Sequence, residues 1–238
     1  DLPARAPSDP GEPFLSRLPE ELTEYDAKRL LARWGMSVTR EILCSSLEEA
    51  LSAASEIGYP VALKVMSPDI IHKTEAGAVA LRLKDEEELR NAFGRLLERS
   101  LKAMPGARIR GMLVQEMVSG GVECMIGVKR DPVFGPFVAV GLGGIYVEIL
   151  KDLSLRHAPV DIEEARRMIA SLKGFPLLSG ARGSVPKDIE ALAGMVSRVS
   201  LMALAEESLA ELDINPVLVL DEGGGAIAVD AAVIKTPR

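Results

Sequence analysis

The 238 residues include two histidines, and one of them, His72, stands in the stretch from Ser67 to Gly77 beside Lys73, Thr74 and Gly77. A neutral imidazole near pH 7 can act as a nucleophile toward phosphorus. A loop that mixes a cation, a hydroxyl and a small residue can also wrap phosphate oxygens through backbone N–H groups. The pattern is not a Walker sequence, and taken alone it also reads as an ordinary surface connection. Upstream, Lys64 lies inside the apolar run PVALKV. A buried ammonium there demands an anionic partner, phosphate being the natural one; the bland alternative is a strand lysine turned to water. Near the C-terminus Asp213 and Asn215 are two apart on a strand-like run, so their side chains share a face, and Asp230 follows on the next run. One or two carboxylates with neutral oxygen donors suit magnesium held with nucleotide phosphates, although Asp and Asn beside Pro216 also suit a turn. The run from Gly141 to Gly144 resembles a dinucleotide fingerprint only in part, because the third glycine would fall on Tyr146 and no parallel βαβ unit surrounds it. It contacts a ligand or packs a strand end closely.

Positioning these groups requires elements that the sequence also signals. Helical spacing runs from Leu22 to Trp34, with Thr23 as N-cap and Gly35 as stop. Ser46 with Glu49, and Asp85 with Glu88, form capping patterns that open two further helices. SVTREIL, PVALKV, VALRL, GMLVQEM, VECMIGVKR and PFVAVGL read as strands, the last three antiparallel around turn signals at Gly120-Gly121 and Asp131-Pro132. Two helical stretches, about 162–172 and 186–207, precede ELDINPVLVL and AIAVDAAVI, two strands joined by the turn from Gly223 to Gly225. Strands and helices mix without strict alternation, which predicts an α+β protein of two lobes.

Composition narrows the function classes. A formal charge of -7 and the absence of any strongly basic run argue against nucleic acid or an anionic membrane as partner. Two widely separated cysteines form neither a disulfide framework nor a zinc pattern. No apolar stretch reaches the roughly 20 residues of a membrane span, and no signal-peptide pattern opens the chain. A cytoplasmic protein is expected. The Pro-rich opening suits a linker over residues 1–19, following some earlier domain.

In this order, the stretches GYPVALKVMSPDIIHKTEAGAV, VQEMVSGGVECMIGVKRDPVFGP, GLGGIYVEILKDLSLR and ELDINP followed by AVDA resemble the β subunit or β domain of ADP-forming acetyl-CoA and acyl-CoA synthetases. These are relatives of succinyl-CoA synthetase within the ATP-grasp superfamily, and the resemblance runs from about Leu22 to Val233. It implies an ATP-grasp fold whose lobes, about 20–112 and 113–238, clamp ATP or ADP. Adenine would lie near the Gln115 to Val118 segment and its backbone groups, with Glu116, Met117 and Val118 as contacts, and Glu123 would bind ribose. Lys64, with Thr74 and Gly77, would hold phosphates; Asp213, Asn215 and Asp230 would hold Mg2+. The resemblance makes His72 a phosphohistidine that shuttles phosphate between subunits. It also implies a CoA-binding α subunit or fused α domain as partner, and an oligomer in the full enzyme.

Two rival readings share much of this site. Synthetase-like domains fused to protein acetyltransferases act as sensors and are marked by loss of the shuttle histidine; here His72 is present. Other ATP-grasp carboxylate ligases share the nucleotide site but need no histidine in this loop. One departure is His157, where the family usually carries an apolar residue; it reads as a substitution at a strand end.

Overall fold

The structure is a computed structural model and describes residues 13–70, 73, 76–144 and 152–236, without the side chain of Arg182. His72 and Thr74 therefore lie outside the described residues. The chain divides into two compact units, one of Thr39–Ser119 and one that joins the N-terminal part to Gly120–Arg238. The division differs from the expected 20–112 and 113–238, because the first helix, α1 (Glu24–Arg33), belongs with the C-terminal residues. Its Leu30 and Leu31, fully buried, enter the same apolar cluster as strands near the C-terminus. The expected linker over 1–19 is also shorter on the described side. Phe14–Arg17 form a 3-10 turn, and Leu15 is fully buried.

The smaller unit is an antiparallel sheet in the order β1 (Glu41–Cys44), β4 (Gly111–Glu116), β2 (Val61–Met66), β3 (Val79–Leu83). Two helices, α2 (Leu47–Ile57) and α3 (Glu86–Ala103), start where the sequence places their caps: the Ser46 hydroxyl accepts from the Glu49 N–H and the Asp85 carboxylate from the Glu88 N–H. Each cap satisfies an N–H group that the helix itself leaves without a partner. Val61, Leu63 and Val65 of β2, with Met112 and Val114 of β4, enter the cluster that contains Ala50, Ala54, Leu89 and Leu96 of the helices. Strand alternation then sends Ala62, Lys64 and Met66, with Leu113 and Gln115, to the opposite face.

The larger unit holds an antiparallel sheet in the order β10 (Ala231–Lys235), β8 (Leu209–Val219), β5 (Val122–Asp131), β6 (Gly135–Leu142), β7 (Leu153–His157), with β9 (Ala226–Ala228) also on β8. Its core face packs on α1, α4 (Ile162–Ala170) and α5 (Ile189–Ala205) through residues such as Ile126, Val140, Ile214, Met168 and Val199. Of the strand β7 only its end, at His157, was anticipated. The expected single strand AIAVDAAVI is in fact two, because β8 contains Pro216, which has no N–H to donate to a ladder. β9 pairs with Val217–Val219 beyond it, and β10 with the residues before it. Asp230 sits in the break. Among the described residues no helix is long and apolar enough to cross a membrane.

Candidate functional site

Lys64 is buried, 5% exposed, and stands between Val79 of β3 and Leu113 of β4 on the face turned away from the helices. The alternative of a lysine pointing to bulk water does not hold. Gln115, also buried, lies on the same face, one diagonal step away. A charged head held at this depth is placed to meet polar groups, since leaving it without any would be costly.

The loop that follows β2 is tied down on both sides of its central residues. At its start, Asp69 accepts hydrogen bonds from Arg108, at 2.7 Å from the backbone N–H and 3.0 Å from Nε. These bonds hold its carboxyl down at about 2, the guanidinium contact contributing most. At its end, the Ala78 N–H donates to the Lys73 carbonyl at 2.8 Å, and the Ala78 carbonyl accepts from the Val65 N–H at 2.9 Å. Gly77 has φ of +63°, a left-handed conformation that favours glycine; its presence is explained by the backbone whatever else it does.

The segment after β4 bears three of the expected nucleotide contacts. The Glu116 carboxylate is engaged within its own unit, accepting from the Arg40 N–H at 2.7 Å and from Arg40 Nε at 2.9 Å. Met117 and Val118, both half-buried, follow outside the strand. What this segment can still offer a ligand is backbone polarity rather than the Glu116 side chain.

In the larger unit, the sheet face opposite the core carries Glu123, Asp213 and Asn215, all exposed. Glu123 is pressed against the glycine run. The Gly143 N–H donates to its carbonyl, and a Cβ on Gly143 would stand 3.0 Å from the Glu123 Cβ. A Cβ on Gly141 would stand 2.7 Å from the Asp152 carbonyl oxygen. Both glycines are thus accounted for by close packing, one of the two readings their spacing allowed. The carboxylate of the buried Asp152 accepts from the N–H groups of Lys173 and Gly174, each at 2.8 Å.

Asp230 joins Asp213 and Asn215. The Asn215 N–H donates to the Asp230 carbonyl at 3.1 Å, and Asp213 lies opposite Ala232, two residues beyond. Partial burial of the carboxyl, though the residue as a whole is exposed, and then the nearby Asp230 charge push the Asp213 pKa up. Two carboxylates that repel each other, with an amide oxygen on the same face, form a donor set that suits a hard divalent cation; the residues fit magnesium. Among the described residues no group of three or more His, Cys, Asp and Glu is placed to hold a metal ion. Neither cysteine competes as a nucleophile. Cys44 and Cys124 are free and buried, and burial raises their thiols to about 11 and about 12.

The sequence did not signal Lys28, which α1 buries behind the Asp230 break. An i,i+4 acid and base on a helix ordinarily read as a solvated surface pair.

The ATP-grasp domain family matches residues 14–234. The chain belongs to the ATP-grasp family. Within it, the chain groups with the β parts of ADP-forming acyl-CoA ligases. It is 46% identical over 214 residues to the β subunit of acetate–CoA ligase (ADP-forming) II of Pyrococcus furiosus, covering 90% of this chain and 91% of that one. It is 42% identical to 4-hydroxybutyrate–CoA ligase (ADP-forming) of Nitrosopumilus maritimus, but there 89% of this chain covers only 30% of the relative. Its fold matches the acetyl-coenzyme A synthetase 1 of Ca. Korarchaeum cryptofilum in complex with coenzyme A, Ca-AMPCP and HgCl+, with TM-score 0.88, 40% identity and coverage of 93% and 96% of the two chains. The same synthetase has also been solved with a phosphorylated phosphohistidine segment, at TM-score 0.83 and 40% identity over 91% and 94% of the chains.

Proposed function

We propose that this ATP-grasp chain is the nucleotide-binding part of an ADP-forming acyl-CoA synthetase, which joins a carboxylic acid to CoA as ATP becomes ADP and phosphate. It would do so in the cytoplasm with a CoA-binding α subunit or α domain. The observation that carries this reading is the convergence of Asp213, Asn215 and Asp230 at the open face of the large sheet. The Korarchaeum relative's nucleotide, CoA and phosphohistidine segment support it.

In this reading Asp213, Asn215 and Asp230 hold Mg2+, which when bound neutralises phosphate charge as it develops. Lys64 takes the γ-phosphate, aided by Thr74 and Gly77. Backbone groups of Glu116, Met117 and Val118 hold adenine, and the Glu123 carboxylate takes the ribose hydroxyls. Neutral His72 attacks in line: an N–P bond forms, the bond from phosphorus to the bridging oxygen breaks, and ADP leaves with the electron pair. Phosphate then passes from His72 to the partner site. The reverse sequence makes ATP.

The test is intact-mass and phosphopeptide analysis after incubation with Mg-ATP and the α partner. Acid-labile phosphate on His72, absent from His72→Ala and reduced at least tenfold in Lys64→Met, is the expected result; removal of one electrostatic contact to transferring phosphate typically costs this much or more. ATP binding without phosphate on His72 would sink the shuttle and leave either a sensor or a phosphate path that bypasses His72.

A further inference from the structure

A buried ion pair on α1 stands behind the break that carries Asp230. Lys28 Nζ lies 2.8 Å from Glu24 Oε1 one helical turn away, with neither side chain reached by solvent. The same ammonium donates to the Val229 carbonyl at 3.1 Å. Val229 precedes Asp230, and its N–H donates to the Pro216 carbonyl at 3.0 Å, while the Asn215 N–H donates to the Asp230 carbonyl at 3.1 Å. One cation therefore anchors a run of backbone bonds that connects residues 229 and 230 to residues 215 and 216.

Stability alone does not account for the pair. Removing two charges from water is expensive, and apolar replacements of such pairs are often neutral or stabilising. Geometry does account for it. The pairing of β9 with β8 ends at Ala228 and that of β10 begins at Ala231, and between them Val229 stands opposite Pro216, which has no N–H to donate to the Val229 carbonyl. Lys28 Nζ reaches that carbonyl from α1, and Glu24, 2.8 Å from the same ammonium, holds the donor in place.

We propose that Lys28, oriented by Glu24, is a positioning residue for the divalent-cation end of the nucleotide site: it fixes the Val229 carbonyl and thereby aims the Asp230 carboxylate toward Asp213 and Asn215. The proposal rests on the assignment of those three residues as the metal set. Groups that orient metal ligands from behind typically change metal affinity by about 10–100-fold when removed.

Lys28→Met alone would break a buried ion pair from one side, which is strongly destabilising, so the informative variant is Glu24→Leu with Lys28→Met, which removes both charges together. In the enzyme with its α partner, Mn2+ in the presence of ADP is titrated by electron paramagnetic resonance, and amide exchange at Asn215 is followed without metal or nucleotide. The double variant is expected to keep the wild-type unfolding midpoint, to exchange the Asn215 amide faster, and to bind Mn2+ about tenfold more weakly. Asp230→Asn serves as the reference. If it weakens Mn2+ while the double variant binds as wild type does, the role of Lys28 is overturned and the metal set stands. If Asp230→Asn itself binds Mn2+ normally, the metal assignment falls and the inference with it.

Discussion

Asp213, a member of the proposed metal set, illustrates how a residue is adjusted by its immediate surroundings. Burial of its carboxyl, reinforced by the Asp230 charge, raises its pKa in the folded chain. The protonated form is therefore favoured by folding. Its contribution is fully present below the unfolded carboxylate value of about 3.9 and is lost as pH rises through the higher folded value. At neutral pH the ionised pair works against the metal-free fold. Asp213→Asn should accordingly raise the thermal midpoint of the metal-free protein at pH 7, with the difference fading toward about pH 3. With Mg-ADP at 100 times its dissociation constant the order should reverse, because the wild type gains about 2.7 kcal/mol from binding. A metal-free Asp213→Asn variant that melts below wild type at pH 7 would show that the carboxylate is instead stabilised by its surroundings.

At the scale of elements, the glycines of β6 and of the turn after it fix how closely strands and turns approach. A Cβ at Gly141 would meet the Asp152 carbonyl at 2.7 Å and the Leu153 side chain at 2.5 Å, whereas at Gly127 of β5 the nearest atoms are at 3.5 Å and 3.7 Å. Gly141→Ala should cost about 1–3 kcal/mol, the usual penalty when a well-packed region must shift. Gly127→Ala, meeting only ordinary contacts, should stay within about 1 kcal/mol of wild type. Urea unfolding distinguishes them, and equal midpoints would mean that β7 yields without cost. The helix starts were legible because Thr23 with Asp26, Ser46 with Glu49 and Asp85 with Glu88 are bonded three residues apart. β7 was not, because Leu153–His157 becomes a strand through its pairing with Phe137–Gly141 of β6, and its own five residues carry no comparable local signal.

At the scale of the whole molecule, Glu206 gathers distant parts of the larger unit. Its buried carboxylate accepts from the N–H groups of Phe14 and Leu15, each at 3.0 Å, and from Trp34 Nε1 at 3.3 Å. Glu206→Ala should lower stability by about 3 kcal/mol or more, since each buried donor left without its partner costs about 1–3 kcal/mol. Trp34, the single tryptophan, reports this unit directly, and a fluorescence midpoint unchanged by the substitution would contradict the assignment. The sequence by itself determined the α+β class, the capped helices, the run of antiparallel strands and the pairing of Asp213 with Asn215 on one face. All of these follow from spacings of two to four residues, which periodicity and capping encode locally. Only the tertiary structure decided that residues 13–38 return to the C-terminal sheet, that Lys64 and Lys28 are buried, that Pro216 divides the last strand, and that Asp230 therefore stands beside Asn215. Each of those depends on contacts between residues far apart in the chain, where burial and hydrogen bonding are set by the partner rather than by the neighbouring sequence.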